Sequence, residues 1–235
     1  MTLTAAPGAE SPGGSAAGSP ADSNAQLTGG PTGANPGPAP VEFLVPGLPY
    51  AGPELRGMEL SGLVVHVIGD LYVEADQVSS GAAAPRMGAA GMRAAAVLRL
   101  AAPVISGRWA AMGLTAAWAL SGGPPPAVLE ASVERFHRIP LQPLSVGLRL
   151  EQSDAAGQPA DVVDIFGLPC TSVERTIEDL LRRAGDSRRA AAAMTAATRL
   201  LPLTDASALR DRFESRRKRP GMASARRALE RLLTA

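Results

Sequence analysis

One cysteine, two histidines, a few closely spaced carboxylates and a run of C-terminal cations are the residues of this 235-residue chain with the chemistry to serve a site. Cys170 is the only thiol. A nucleophilic thiolate needs an accessible, electropositive setting, and a cysteine between a proline and a helix cap at a strand end reads instead as a small buried residue. His66 stands between Val65 and Val67, on the strand face opposite both, and reads as a solvated strand residue rather than a ligand. His137, in Arg135-Phe-His-Arg138, reads as loop surface. Without a His-Glu-x-x-His or Cys-x-x-Cys pattern, neither a metal site nor a cofactor is expected. Asp161 and Asp164 resemble a hydrolytic carboxylate pair, but three-residue spacing in a strand sends them to opposite faces. A nuclease would also want a lysine nearby, and Lys218 is the only lysine. A nucleotidyltransferase would carry a Gly-Ser or Gly-Gly turn followed by an Asp-x-Asp pair. Gly122-Gly123 runs instead into three prolines, and no such pair exists. A hydrolase built from Asp161, Asp164 and His137 is kept only as a remote alternative.

Charge is the stronger signal. Residues 1–170 hold 8 basic and 14 acidic side chains, and residues 171–235 hold 15 and 8, so the C-terminal part alone is suited to an acidic partner. Its densest feature is Arg216, Arg217, Lys218 and Arg219, with Arg226 and Arg227 close behind. These cations form either a solvated helix end or a contact for nucleic acid or an acidic protein face. No aromatic is interleaved beyond Phe213, which disfavours stacking on single strands. Arg175 and Asp179 sit four apart on one expected helix. They make either an exposed ion pair, worth about 0.3–0.5 kcal/mol, or a buried tie between helix and sheet. Both readings stay open.

The elements that position these groups are legible in part. The best-specified joint is Val162 to Leu181. A short apolar strand (Val162–Phe166) is ended by Gly167 and Pro169, and Thr171 then caps a helix with Glu174 closing a capping box. Val173, Ile177, Leu180 and Leu181 give that helix one apolar stripe. Residues 1–40 are almost wholly Ala, Gly, Pro, Ser and Thr and predict a disordered tail or a misassigned start. Order is expected from Val41: a helix opened by Gly52-Pro53-Glu54, then two β-rich runs, Leu63–Ile68 and Leu71–Val73, joined by Gly69-Asp70 as a hairpin. A short helix followed by a hairpin is the second half of a winged helix-turn-helix, so residues 41–78 read as a truncated winged-helix remnant. Residues 79–88 read as a small-residue linker.

From 89 onward the pattern predicts an alanine-rich helix to Ala102 and a short helix over Gly107–Leu114, with Trp109 and Met112 on one face and a further turn over Thr115–Leu120. Three antiparallel strands follow: Val128–Val133, Leu144–Leu150 and Val162–Phe166. Beyond Leu181 the chain reads as helical. Gly185 stops one helix and Asp186 opens the next, Arg188–Leu201; Thr204 or Asp205 caps another, ending in Arg216–Arg219; Pro220-Gly221 resets the chain for a last helix with Ala225, Leu229 and Leu232. The expected class is α+β: the winged-helix remnant, then an antiparallel-sheet domain (89–235) with a C-terminal helical bundle. A single cysteine suits a reducing cytoplasm. No apolar run is long enough to span a membrane, and no secretory leader is read.

This order resembles the AbiEi family of type IV toxin–antitoxin antitoxins. The matching pieces are Gly69-Asp-Leu-Tyr-Val73 at the end of the hairpin, Val104-Ile-Ser-Gly-Arg-Trp-Ala-Ala111, and above all Gly167-Leu-Pro-Cys-Thr-Ser-Val-Glu-Arg-Thr-Ile-Glu-Asp-Leu180. The last block is similar to the family's Gly-Leu-Pro-Val-Thr-Ser-x-x-Arg-Thr-x-x-Asp-Leu hallmark, with Cys170 in place of a small aliphatic. The resemblance implies an N-terminal winged helix that binds operator DNA, a C-terminal α/β domain, and a protein that counteracts a nucleotidyltransferase toxin. It makes Thr171, Ser172, Arg175, Thr176 and Asp179 the hallmark helix, expected to be structural. The remnant departs from the pattern, because Arg56 is the only basic residue of 41–78 against six acids. The expectation is a non-enzymatic, cytoplasmic antitoxin or regulator that binds a protein partner or DNA. The alternative is a solitary repressor that uses its C-terminal basic helices.

Overall fold

A computed structural model describes residues 41–79, 88–139, 145–184 and 187–234. The expected tail (1–40), most of the expected linker (79–88), Gly185 and Asp186 lie outside them. The chain opens with α1 (Gly52–Leu60), whose Pro53 lies in the first turn and whose Glu54 carboxylate accepts from the Ala51 N–H. The hairpin follows as expected: β1 (Val64–Ile68) and β2 (Leu71–Glu74) pair antiparallel around Gly69-Asp70. A five-residue helix, α2 (Ala75–Ser79), continues directly from β2.

The tip of this hairpin is not free. A Cβ at Gly69 would come within 2.6 Å of Ser145 Oγ and Val146 Cγ2, so the turn presses onto the segment leading into the main sheet. Val67, Ile68, Leu71 and Val73 join the same apolar cluster as the next helix, α3 (Gly88–Ala101). Leu55, Val64 and Tyr72 form a smaller cluster beside it.

The main sheet has five strands: β3 (Trp109–Ala111), β4 (Val128–Val133), β5 (Gly147–Gln152), β6 (Val162–Ile165) and β7 (Leu168–Thr171), in the order β5-β4-β3-β7-β6. The class is α+β, with four of its helices following the last strand. The sheet itself is mixed, not purely antiparallel: β4–β5 and β3–β7 run parallel, β3–β4 and β6–β7 antiparallel. Period-two alternation reveals a strand but not its direction. The connection from Glu134 to Val146 is long enough for the chain to return to the same end before β5.

Two local expectations also change. Trp109 to Ala111 form a strand rather than a helix, because both their edges are taken, by β4 and β7. The helix begins only at Gly113, as α4 (Gly113–Ser121), and Gly113 has φ +57°. At the best-specified joint, Gly167 and Pro169 do not end the β structure. Phe166 (φ +51°) and Gly167 (φ +86°) make a two-residue turn with both residues left-handed, and Leu168-Pro-Cys-Thr171 returns as β7. Pro169 is tolerated within a paired strand, opposite Asp164.

Four helices complete the fold: α5 (Val173–Arg183), α6 (Ser187–Leu200), α7 (Ala206–Ser215) and α8 (Met222–Leu233). Asp205, one of the two caps foreseen, accepts from the Ala208 N–H at 2.7 Å. Ile177, Leu180, Leu181, Leu200, Leu209, Phe213, Met222 and Leu229 build a helical core. The sheet, α3 and the hairpin build another. The α4 helix carries no charged residue and lies between them: Ala117 faces the helical core, and Ala116, Trp118 and Ala119 the sheet core. Among the described residues no helix is long and apolar enough to cross a membrane.

Candidate functional site

The hallmark residues, with Asp161 and Arg216, converge on the corner where β7 enters α5. The helix is capped there one residue later than expected. Ser172, not Thr171, is the N-cap, and its hydroxyl accepts from the Arg175 N–H at 3.2 Å. Thr171 stays in the strand, where the Thr176 hydroxyl donates to its carbonyl at 3.1 Å and the two hydroxyls lie 2.8 Å apart. Glu174 is therefore not a capping-box partner of Thr171, and its carboxylate accepts from Thr204. Replacing Ser172 by alanine is expected to cost about 1 kcal/mol of stability, read as a shift in the urea unfolding midpoint, with Ser172→Asp retaining most of it.

Arg175 and Asp179 settle as a buried tie. Arg175 is 2 % exposed. Its Nε donates to both Asp179 oxygens (3.1 and 3.2 Å), and its Nη1 donates to Asp161 at 2.7 Å and lies 3.1 Å from Asp154. From the other side, α7 and its C-cap residue send in two arginines. Arg212 donates to Asp161 (2.8 Å) and Glu178 (2.9 Å), and Arg216 reaches the same two carboxylates at 3.1–3.3 Å. Arg219 pairs with Asp154 at 2.8 Å. Glu178 is fully buried, and its Oε1 has no partner among the described residues.

The result is a lattice of alternating carboxylates and guanidiniums that fastens α5, α7 and the turn before β6. Asp161 belongs to it and Asp164 does not: Asp164 is exposed on the edge strand, where it accepts from the Gly167 N–H. The opposite-face reading is corrected in its premise: Asp161 closes a short 3-10 turn (Pro159–Asp161) ahead of β6, so only Asp164 lies in the strand, and the two are kept apart by the arginines that hold Asp161.

Burial would raise the Asp161 carboxyl, but hydrogen bonds from Arg212 and Arg175 and the nearby Arg216 charge hold it below its ordinary range. Asp154 is held down in the same way against its own burial, by Arg175 and Arg219. Asp179, deeper still, is pushed up by burial in spite of Arg175. Asp154 and Asp161 therefore contribute stability in full above their unfolded values, about pH 4, and lose it as the pH falls through their lower folded values. Asp179 acts in the opposite sense and offsets part of that loss. The expected outcome is a urea midpoint that declines from about pH 5 downward, with a shallower decline in Asp161→Asn.

A second carboxylate, Glu130 of β4, gathers Arg149, Arg183 (3.8 Å) and Arg189 (3.3 Å). Its Oε2 accepts from the Leu114 N–H at 3.0 Å, which caps the N-terminus of α4 from a neighbouring strand. Met112, at the N-cap position, has no side-chain bond to offer.

The other candidates take no part in this lattice. Cys170 is fully buried in β7, and burial pushes its thiol up, which makes it a poor nucleophile. His66 is exposed, its Nε2 2.8 Å from the Gly69 carbonyl and its ring beside Tyr72. His137 Nε2 accepts from the Ser106 N–H in a loop. Among the described residues no group of three or more His, Cys, Asp or Glu is placed to hold a metal ion. Arg56 is exposed on α1.

The C-terminal cations divide. Arg216 and Arg219 are committed to the lattice or to Asp154, whereas Arg217 and Arg226 share the exposed Glu214. Lys218 and Arg227 have no carboxylate within 4.0 Å among the described residues.

Sequence reasoning missed Glu178, Arg212, Asp154 and Glu130. A signal for Arg212 was present. Leu209, Arg212, Phe213 and Arg216 follow the i, i+3, i+4, i+7 spacing of a buried stripe, so two arginines on it required carboxylates opposite. No protein-family model matches this chain, and neither does any curated protein.

Proposed function

We propose that this chain is a non-enzymatic, AbiEi-like antitoxin or regulator that works in the cytoplasm by binding a partner. The observation that carries the reading is the state of the hallmark block. Thr171, Ser172, Arg175, Thr176 and Asp179 form a buried fastening between strand and helix, the structural role that the resemblance implies for them. The carboxylates around it are held by guanidiniums, which leaves them poorly suited to move protons. Function then falls to surfaces, by occlusion or repression.

The reading predicts that co-expression with a nucleotidyltransferase toxin encoded beside this chain restores growth. The purified chain should hydrolyse neither nucleotides nor nucleic acid when Mg²⁺ or Mn²⁺ is added. Metal-dependent hydrolysis that disappears in Asp161→Asn would overturn it in favour of a carboxylate enzyme.

A second reading, a DNA-binding repressor, draws on Arg217, Lys218, Arg226 and Arg227, which remain on the surface. The wing does not favour it, since Gly69 is pressed onto Ser145 and Val146 and α1 offers only Arg56. A mobility-shift salt series on duplex DNA from upstream of the coding region separates the two. If the repressor reading holds, Arg217→Gln with Lys218→Gln lowers the log–log salt slope by roughly two. If the partner reading holds, there is no salt-sensitive complex for the pair to weaken.

A further inference from the structure

We propose that the open end of the β1–β2 hairpin, together with the end of α1 and with α2, docks the basic face of a partner protein. The inference rests on the reading that this chain acts by binding a partner, and it names the surface and the charge that partner carries. The hairpin tip is pressed onto Ser145 and Val146, so the surface in question lies at the opposite end. There α1 closes in a Schellman motif: the Gly62 N–H (φ +72°) donates to the Glu59 carbonyl, and the Leu63 N–H to that of Met58. Such a motif ordinarily tucks the residue after its glycine against the last turn of the helix, yet Leu63 is 60 % exposed. The Leu63 carbonyl accepts from the N–H of Ala75, the first residue of α2, and Val78 lies one turn further along that helix. Leu60 is 91 % exposed and Val78 43 %. Three exposed apolar side chains from three successive segments thus lie at one end of the hairpin, unlike the scattered single residues that any surface carries.

Charge decides the occupant. Glu59 adjoins Leu60, Glu74 pairs with Val64 in the ladder beside Leu63, and Asp76 stands in the first turn of α2; all three are exposed. Among the described residues no Lys, Arg or His lies within 4.0 Å of any of them. Over residues 41–78 the only base set against six acids is Arg56. A nucleic-acid backbone or an anionic lipid surface would meet like charge here, and a wholly apolar partner would strand carboxylates under its edge. A protein face with apolar residues ringed by Lys or Arg satisfies both features: it covers Leu60, Leu63 and Val78, and its cations meet the three carboxylates. Proteins that handle polyanions carry such basic faces, and docking here occludes that face by standing in for phosphate.

The test pans a phage-displayed library of random 16-residue peptides against the full chain. Enriched sequences should combine apolar residues with Lys or Arg and lack Asp and Glu. A synthetic copy of the best sequence should bind at least tenfold more weakly to Leu60→Ser/Leu63→Ser, which removes the apolar centre, and to Glu59→Gln/Glu74→Gln, which removes charge alone. Its binding to the parent chain should also weaken as salt is added. Urea midpoints check that both variants are folded, and the charge-neutralised form carries the test if the other is not. Enriched peptides that are acidic or uncharged, binding that a folded variant leaves unchanged, or a library that yields nothing overturn the proposal. Light scattering that finds the parent chain self-associated, and Leu60→Ser/Leu63→Ser monomeric, overturns it in favour of a second copy. Duplex DNA that binds the parent chain and displaces the peptide overturns it in favour of nucleic acid. Toxin neutralisation is read separately, so its retention in a chain that fails these tests removes only this surface.

Discussion

Replacing Arg175 with methionine is expected to remove about 3–5 kcal/mol of stability, the cost of breaking a buried ion pair from one side. Methionine restores most of the volume but none of the five N–H donors. Asp161 would still hold Arg212 and Arg216, and Asp154 would still hold Arg219. Asp179 would not be rescued, because among the described residues the only other cation within 4.0 Å, Arg182, lies 3.9 Å away. The loss therefore traces mainly to one stranded carboxylate. The Arg175→Met/Asp179→Leu double variant should recover a large part of it, since replacing a whole buried pair with apolar groups is often close to neutral. Arg175→Lys should recover little, because an ammonium cannot reach Asp179 and Asp161 with the spread of a guanidinium. Urea unfolding followed by circular dichroism reads all three variants. A loss under 1 kcal/mol for Arg175→Met would mean that the lattice is not a fastening.

Substituting Gly113 with alanine should cost about 3 kcal/mol. The residue holds φ +57°, a conformation that costs an L-residue about 1–2 kcal/mol. The added Cβ would also overlap the Glu130 carboxylate and come within 3.1 Å of Arg183 Nη1. Glu130 would have to withdraw from the Leu114 N–H, uncapping α4 at about 1 kcal/mol, and from Arg189 and Arg149. Because the overlap is with that one side chain, Gly113→Ala and Glu130→Ala should combine to less than the sum of their separate losses. Strict additivity, measured by urea midpoints, would place the strain in the backbone alone.

Much of this architecture was legible in the sequence, for identifiable reasons. The α3 helix, the Gly69-Asp70 hairpin, the Asp205 cap and α8 all carry local signals: apolar spacing, turn residues or a cap. What was hidden depended on partners far along the chain. The direction of β5 is set by its place beside β4, which no periodicity within either strand reveals. Trp109-Ala-Ala111 is too short to carry a period and is a strand only because two neighbours flank it. Pro169 misled for the opposite reason: a strong local breaker was accommodated inside a hairpin. At the site, the hallmark residues on α5 were visible, but whether Arg175 was buried depended on Asp161, fourteen residues away. Arg216 looked like free charge because Asp161 and Glu178 are its partners only in the folded chain.

The position of α4 carries a consequence for the whole molecule. Its two sides complete two different cores, so neither core can open without exposing one side of this helix and removing a wall of the other. The sheet half and the helical half are thereby bound into one cooperative folding unit. Loosening at the C-terminal helices is therefore expected to reach the sheet as lost protection from hydrogen exchange, and not as an independent local event.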